Sequence, residues 1–227
     1  TGTFGLGVAE LADNVRRMAD TGVAAVVCLT GSLAAAEESE ATWQARATAL
    51  LAATGGIPLG LYECPQPYHR VLGADTLAWT GTTGRFLFLK ETSARLPLIE
   101  AKIEAVRGTA EKFFNAHAAT LLASLERGAH GFCGISANFV PELWTWLCRN
   151  WRDEPAPAAR LQDFLRDAET AFARNYPASA KHFLAARGLP IAPVCRVDAG
   201  RPSPDDLAAL ADLRAAASRW RSELGVA

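Results

Sequence analysis

The 227-residue sequence has no marked excess of either charge and no apolar run of the length that a membrane span requires. Lysine and arginine total 23 against 24 acidic residues, so the formal net charge is -1. A balance this close to zero gives no electrostatic reason to expect a polyanionic partner. The sequence therefore predicts that the protein binds neither nucleic acid nor a membrane.

Cysteine is also sparse, and its spacing excludes the familiar cysteine sites. The five cysteines are odd in number and scattered, with no CxxC pair and no Cys/His cluster at metal-binding spacing. We therefore predict no metal site, reduced thiols and a cytoplasmic location. The first residues, Thr1 to Gly5, lack the basic and apolar regions of a signal peptide, so none is expected here.

Strand and helix patterns alternate regularly along the first two thirds of the chain. Val23 to Thr30 is an unbroken apolar run, as is typical of a parallel strand buried on both faces. Similar short strands are predicted at 57–62, 85–90, 111–115 and 131–136, with helical periodicity between them. Units of this kind indicate an α/β fold with a parallel sheet.

The pattern changes after Asp153, where the segment Glu154 to Pro157 interrupts it. Beyond that break only helices are predicted, at about 158–175, 177–187 and 204–224. The sequence therefore predicts a strand–helix portion over residues 1–153 and a helical region over residues 154–227.

The stretch from Ile57 to Ser93 contains the strongest chemical candidates. Two short apolar strands end there in polar residues, Tyr62 and Lys90. Catalytic groups of parallel barrels lie at the carboxyl ends of strands, and neighbouring strands are about 4.8 Å apart. An amine that loses hydration there is a nucleophile able to form Schiff bases. The alternatives are a lysine that extends into solvent and a packed tyrosine with a solvated hydroxyl.

Four motifs in this order resemble one known family. Leu61–Pro65 is similar to its Y-x-x-P pattern and Leu89–Ser93 to its K-x-[ST]-[ST] pattern. Gly128–Asn138 resembles its G-A-x-G-x-I-[SG]-x-x-[AS]-N segment, and Tyr176–Gly188 resembles a late helix with P-x-x-x-K-x-x-L-x-x-x-G. Together they resemble the dihydrodipicolinate synthase / N-acetylneuraminate lyase family, whose members are class I aldolases and lyases acting on 2-keto acids.

The resemblance implies a (β/α)8 TIM barrel, of which this chain shows strands 4 to 8 and the end of strand 3, followed by a C-terminal helical extension. It implies that Lys90 forms an imine with pyruvate or a related 2-keto acid and that Tyr62 shuttles protons. Thr92, Cys133 and Gly134 correspond to substrate-binding positions. The imine is formed by the protein's own lysine, so no cofactor is expected. The implied partners are a small-molecule 2-keto acid and further copies of the chain, in a homodimer or homotetramer.

Several positions depart from the family pattern. This sequence has no counterpart of the family's first barrel strands or of the loop that binds the keto-acid carboxylate. We therefore expect that a segment preceding Thr1 is missing. Pro67 stands where synthases carry a carboxylate-binding arginine, and Gly31 to Leu33 replaces their aromatic pair. Phe114 to Ala119 lacks the acidic residues of sialic-acid lyases. These changes favour a different and less polar aldehyde partner.

The remaining candidates come from position alone. His117 follows a predicted strand end and is expected to line the pocket, and His69 lies in a loop on the same face. Strand alternation is expected to turn Glu63 and Glu91 away from the pocket. Two other functions stay open: a sugar-acid dehydratase of the same family and a non-catalytic barrel that binds a keto acid.

Overall fold

The computed structural model describes residues 2–66, 68–196 and 200–226. Within it the chain divides into two compact units, Thr1–Gly131 and Phe132–Ala227. The boundary between these units follows Gly131, whereas the sequence predicted a boundary at residue 153. The division into a barrel portion and a helical region stays a prediction. Pro67, expected to alter the second-substrate site, lies outside the described residues.

Six strands form one sheet whose spatial order equals their order in the sequence. Every strand pair with a described register is parallel, because a helix returns the chain to the start of the sheet before each new strand. The strands are β1 Gly2–Thr3, β2 Val26–Leu29, β3 Leu59–Tyr62, β4 Phe86–Glu91, β5 Lys112–Asn115 and β6 Gly131–Phe132. This arrangement confirms the predicted α/β class and the strand–helix order.

Helices follow the strands in the first unit and make up most of the second. The first unit contains α1 Val8–Ala19, α2 Glu40–Ala53, α3 Ala74–Thr82, α4 Leu96–Ala105 and α5 Leu121–Arg127. The second contains α6 Pro141–Asn150, α7 Pro155–Ala173, α8 Ala178–Ala186 and α9 Pro204–Leu224. No helix of the described residues combines the length and the apolarity that crossing a bilayer demands.

Predicted element boundaries agree with the structure at α9 and differ from it at the last strand. Helix α9 begins and ends at the predicted residues, because Ser203 and Asp206 form a capping box and Gly225 adopts a left-handed C-cap. The last strand, by contrast, is shorter than predicted. It stops at Phe132, residues 133–134 have no regular secondary structure, and a 3₁₀ helix over Ile135–Asn138 takes up the end of the expected strand.

An irregularity in β4 sets which side chains face the helices. Leu59 of β3 pairs with Phe86, but Leu61 pairs with Leu89, so β4 carries one extra residue between the two pairs. A bulge of this kind shifts the alternation of side chains. Phe86, Leu89 and Glu91 are therefore all buried, whereas Lys90 is only half-buried.

The core of the first unit lies where the apolar faces of the helices cover the sheet. Leu59 and Leu61 of β3 and Trp43 of α2 are completely buried in it. The indole Nε1 of Trp43 donates to the carbonyl of Thr30, 2.9 Å away, at the end of β2. Because Leu59 and Leu61 point into this core, alternation turns Gly60 and Tyr62 to the other face of the sheet.

Candidate active site

Tyr62 and Lys90 occupy matched positions at the carboxyl ends of neighbouring strands. They are direct register partners in the parallel pair β3–β4. The Lys90 amine lies over the Tyr62 ring, with Nζ 4.1 Å from the ring centroid, at a distance where a cation is attracted to the π-face. Both side chains are half-buried, so a small molecule can reach the amine. The structure thus brings together the two residues on which the predicted chemistry depends.

An aromatic layer lies one step along the strands from this pair. The ring of Phe88 lies directly over Gly60, where an added Cβ would be 2.5 Å from the phenyl Cζ. Phe88 also meets Phe114 edge to face, with ring centroids 6.0 Å apart. Glycine at position 60 is what allows the ring to occupy this space. The side of the site nearest the strand starts is therefore apolar.

Thr92 and His69 form a polar contact beside Lys90. The Thr92 hydroxyl donates to the carbonyl of Glu63 at 2.6 Å, and the same oxygen lies 2.7 Å from Nε2 of His69. A threonine hydroxyl has one proton, which is used on Glu63, so Nε2 of His69 must be the donor to Thr92. The His69 side chain is exposed, so this contact places an imidazole at the edge of the site.

A buried ionic cluster lies on the other side of the two strand ends. The Lys102 amine of α4 is 2.6 Å from Oε1 of Glu63 and 3.1 Å from Oε1 of Glu91, and all three side chains are completely buried. The expectation that Glu63 and Glu91 point away from Lys90 is confirmed. Burial raises the pKa of Glu63, while the Lys102 amine acts in the opposite direction.

One feature of the sequence points to Lys102, although the overall composition does not reveal it. The buried residues of α4 are Ile99, Lys102 and Ile103, so the lysine falls on the apolar stripe of an amphipathic helix. A lysine at such a position needs an acidic partner, because an isolated buried ammonium is very costly. The partners themselves, Glu63 and Glu91, are remote in sequence and only the fold identifies them.

The other predicted site residues follow the ends of β4, β5 and β6. His117 follows β5, where its Nδ1 lies 3.1 Å from the Thr120 hydroxyl and its backbone N–H donates to Asn115. Cys133 and Gly134 come directly after β6 and belong to the second unit; the Cys133 side chain is exposed. Substrate contacts of His117, Cys133, Gly134 and Thr92 stay predictions.

A cavity of about 490 Å³ lies among the loops that follow β1 and β2. Apolar side chains supply much of its lining, among them Phe4, Leu33 and the ring of Tyr68. The Tyr68 hydroxyl lies between the carbonyls of Gly31 and, at 2.9 Å, Ala34, which share its single proton, and this contact connects the His69 loop to these loops. Tyr68, which precedes His69 in the sequence, therefore lines the cavity.

Comparisons with known proteins bear on the family and the fold of the chain. A sequence model of the dihydrodipicolinate synthetase family matches residues 6–213. No curated protein matches the chain significantly by sequence.

Solved structures of that family share the fold. A monomeric dihydrodipicolinate synthase variant is 15% identical, with a TM-score of 0.83 over 96% of this chain and 73% of its own. Dihydrodipicolinate synthase from Thermotoga maritima is 14% identical, with a TM-score of 0.81 over 96% of this chain and 74% of its own. A prophage protein of the family from E. coli K12, solved with pyruvate, is 18% identical, with a TM-score of 0.79 over 97% of this chain and 74% of its own. The fold is therefore that of the (β/α)8 barrel with C-terminal helices, and the six strands described in this chain correspond to part of that barrel.

Proposed function

The chain belongs to the dihydrodipicolinate synthetase family, whose members are class I aldolases and lyases, and on that basis we propose that it binds pyruvate or a related 2-keto acid as an imine on Lys90. The observation that carries the proposal is the position of the Lys90 amine, 4.1 Å over the Tyr62 ring at the carboxyl ends of β3 and β4. In barrels of this kind the strand ends are where catalytic side chains lie.

The chemistry follows from the amine. The neutral Lys90 amine adds to the keto carbon, and the carbinolamine loses water to give an iminium ion. Loss of a proton from the neighbouring carbon gives an enamine, whose carbon attacks the carbonyl of an aldehyde. Hydrolysis of the new imine returns Lys90 and releases the product, and the reverse sequence is a carbon–carbon cleavage.

Tyr62 is proposed as the group that moves protons in these steps. Its ring lies against the amine, so its hydroxyl is on the same strand end as the forming carbinolamine. Loss of water from that intermediate requires a proton on the leaving hydroxyl, and addition to an aldehyde requires one on the new alkoxide. General acid–base catalysis of this type contributes typically about 10²- to 10⁴-fold in rate.

His69 is proposed to contact the second substrate. Its Nε2–H is committed to Thr92, and its ring is exposed at the edge of the site. The neighbouring Tyr68 borders the cavity lined by Phe4 and Leu33. An imidazole one residue along the chain from a mainly apolar cavity, whose lining also includes one carboxylate–guanidinium ion pair, suits an aldehyde with one polar group and a mainly apolar remainder. This arrangement supports the less polar partner expected from the sequence.

Trapping the imine tests the function. The purified protein is incubated with pyruvate and borohydride, which reduces an iminium ion to a stable secondary amine, and peptide mass spectrometry locates the adduct. We expect modification of Lys90. A panel of small 2-keto acids, tested in the same way, ranks the preferred substrate.

Two lysine variants provide the controls. Lys90→Met is expected to abolish the adduct, whereas Lys112→Met, which removes an exposed lysine at the start of β5, is expected to leave it intact. No adduct with any 2-keto acid, or an adduct that persists in Lys90→Met, would contradict the proposal. Keto-acid binding that is unchanged by Lys90→Met would instead support a non-catalytic binding barrel.

A further inference from the structure

The buried cluster behind the strand ends contains more charge than packing requires. Lys102, Glu63 and Glu91 are each completely buried, and one ammonium serves two carboxylates. Replacing such buried ionic groups with apolar residues of similar volume is often neutral or stabilising, because removing charges from water is costly. Stability alone therefore does not account for the cluster.

Glu63 connects the cluster to the segment that carries Lys90. Its backbone N–H donates to the Lys90 carbonyl at 3.2 Å, and its own carbonyl accepts the Thr92 hydroxyl at 2.6 Å. Its carboxylate uses Oε2 to accept the Thr92 N–H at 3.1 Å, while Oε1 accepts from Lys102 and from the N–H of Leu72. Three hydrogen bonds thus join Glu63 to residues 90–92.

Glu91 holds the same segment from its other side. Its Oε1 accepts the backbone N–H of Ser93 at 2.8 Å as well as the Lys102 amine. Its carbonyl accepts the N–H of Ala116, at the end of β5. The two carboxylates that Lys102 binds are therefore the ones that fix the backbone on both sides of Thr92.

We infer that Lys102 is a positioning residue for the reaction: through Glu63 and Glu91 it holds the Lys90–Ser93 backbone so that the Lys90 amine stays over Tyr62. The inference rests on the proposed function of Lys90. Lys102 does not touch the substrate; it lies on the helix side of the sheet, and its action passes through hydrogen bonds to the backbone. Misplacement of a catalytic group by about 1 Å costs up to roughly 10²-fold in rate.

The test compares variants that remove the cluster with one that only weakens the core. Lys102→Met keeps the approximate volume and removes the cation. Glu63→Gln is the milder change: its amide oxygen still accepts from Lys102, but its NH₂ cannot accept from Thr92. Ile103→Ala, on the same helix and 4% exposed, is the matched control because it opens a cavity without touching either carboxylate.

Two measurements separate positioning from stability. The first is the rate of adduct formation on Lys90 at saturating pyruvate, measured well below each melting temperature. We expect it to fall roughly tenfold to hundredfold in Lys102→Met and severalfold in Glu63→Gln, and to stay at the wild-type value in Ile103→Ala. The second is hydrogen exchange of the amides of Thr92 and Ser93, which we expect to accelerate in the two cluster variants and not in the control.

The outcomes are distinct. Equal trapping rates and equal Thr92 and Ser93 exchange in Lys102→Met and Ile103→Ala would overturn the inference. If Lys102→Met does not fold, the Glu63→Gln variant decides by the same two measurements. If the wild type itself forms no adduct, the proposed function fails, and the exchange measurement alone then decides whether Lys102 holds this backbone.

Discussion

Gly60 and the ring of Phe88 occupy adjoining space on neighbouring strands, with no room for a methyl group between them. A Cβ added at Gly60 would lie 2.5 Å from Cζ of Phe88 and 2.8 Å from both Cε atoms. The ring in turn contacts Phe114. Gly60 therefore keeps an aromatic side chain directly behind Tyr62 and Lys90.

Gly60→Ala is expected to destabilise the protein by about 1–3 kcal/mol, because overpacking forces the ring or the backbone to move. Urea unfolding measures this change. Gly56→Ala serves as the control, since an added Cβ there meets no atom within 4 Å. If Gly60→Ala is as stable as Gly56→Ala, the Phe88 ring can move away from the added methyl group without cost, which would contradict this prediction.

Tyr62→Phe is expected to keep the ring under the Lys90 amine while removing the hydroxyl. The borohydride adduct should still form, although more slowly, because Tyr62 also assists loss of water from the carbinolamine. Exchange of the pyruvate methyl protons with deuterated water, followed by NMR, should slow by at least about 10²-fold. Tyr176→Phe, which removes a hydroxyl bonded to Asn138, is the control. Unchanged proton exchange in Tyr62→Phe would exclude Tyr62 as the proton shuttle.

A change at His69 is expected to affect the reaction with the aldehyde but not the reaction with pyruvate alone. His69→Leu should leave proton exchange of pyruvate near the wild-type rate, because Lys90 and Tyr62 are untouched. Condensation with the aldehyde that the wild type prefers, found by screening apolar and polar aldehydes, should fall roughly tenfold or more as one hydrogen bond is lost. Equal losses in both assays would mean that His69 acts on Lys90 through Thr92.

Glu111 is expected to make stability depend on pH. This carboxyl is buried before β5, where Oε2 accepts the Thr80 hydroxyl at 2.7 Å, and burial raises its pKa to about 8. The folded state therefore keeps a proton that the unfolded state releases above about pH 4.5. Its contribution to the free energy of unfolding falls as pH rises from about 4.5 to about 8, and is constant beyond that range.

Glu111→Gln is expected to remove this dependence, because the neutral amide keeps an acceptor for Thr80. The variant should gain stability relative to the wild type as pH rises, by up to a few kcal/mol, since one pH unit between the two pKa values corresponds to about 1.4 kcal/mol. Urea unfolding at pH 6 and pH 9, with the exposed Glu126→Gln as control, measures it. A constant difference between Glu111→Gln and the wild type at the two pH values would contradict the raised pKa.

Local sequence patterns were sufficient for much of the fold. The apolar runs of β2, β3 and β4 and the periodic helices between them predicted a parallel sheet, because buried strands and amphipathic helices leave different spacings of apolar residues. The cap residues around α9 fixed both of its ends. The extent of β6 was predicted wrongly, since a two-residue strand carries too little periodicity to distinguish it from the 3₁₀ helix that follows.

The sequence by itself determined the family, the order of strands and helices, and the pairing of Lys90 with Tyr62, because these depend on local motifs and on the parallel register that such motifs imply. Only the tertiary structure decided what surrounds that pair. Three contacts around it join residues that are distant along the chain. His69 contacts Thr92, the Phe88 ring packs over Gly60, and Lys102 is buried between Glu63 and Glu91. Such contacts depend on which side chains a bulge and two loops bring together. The spacing of apolar residues along one sequence does not predict these contacts.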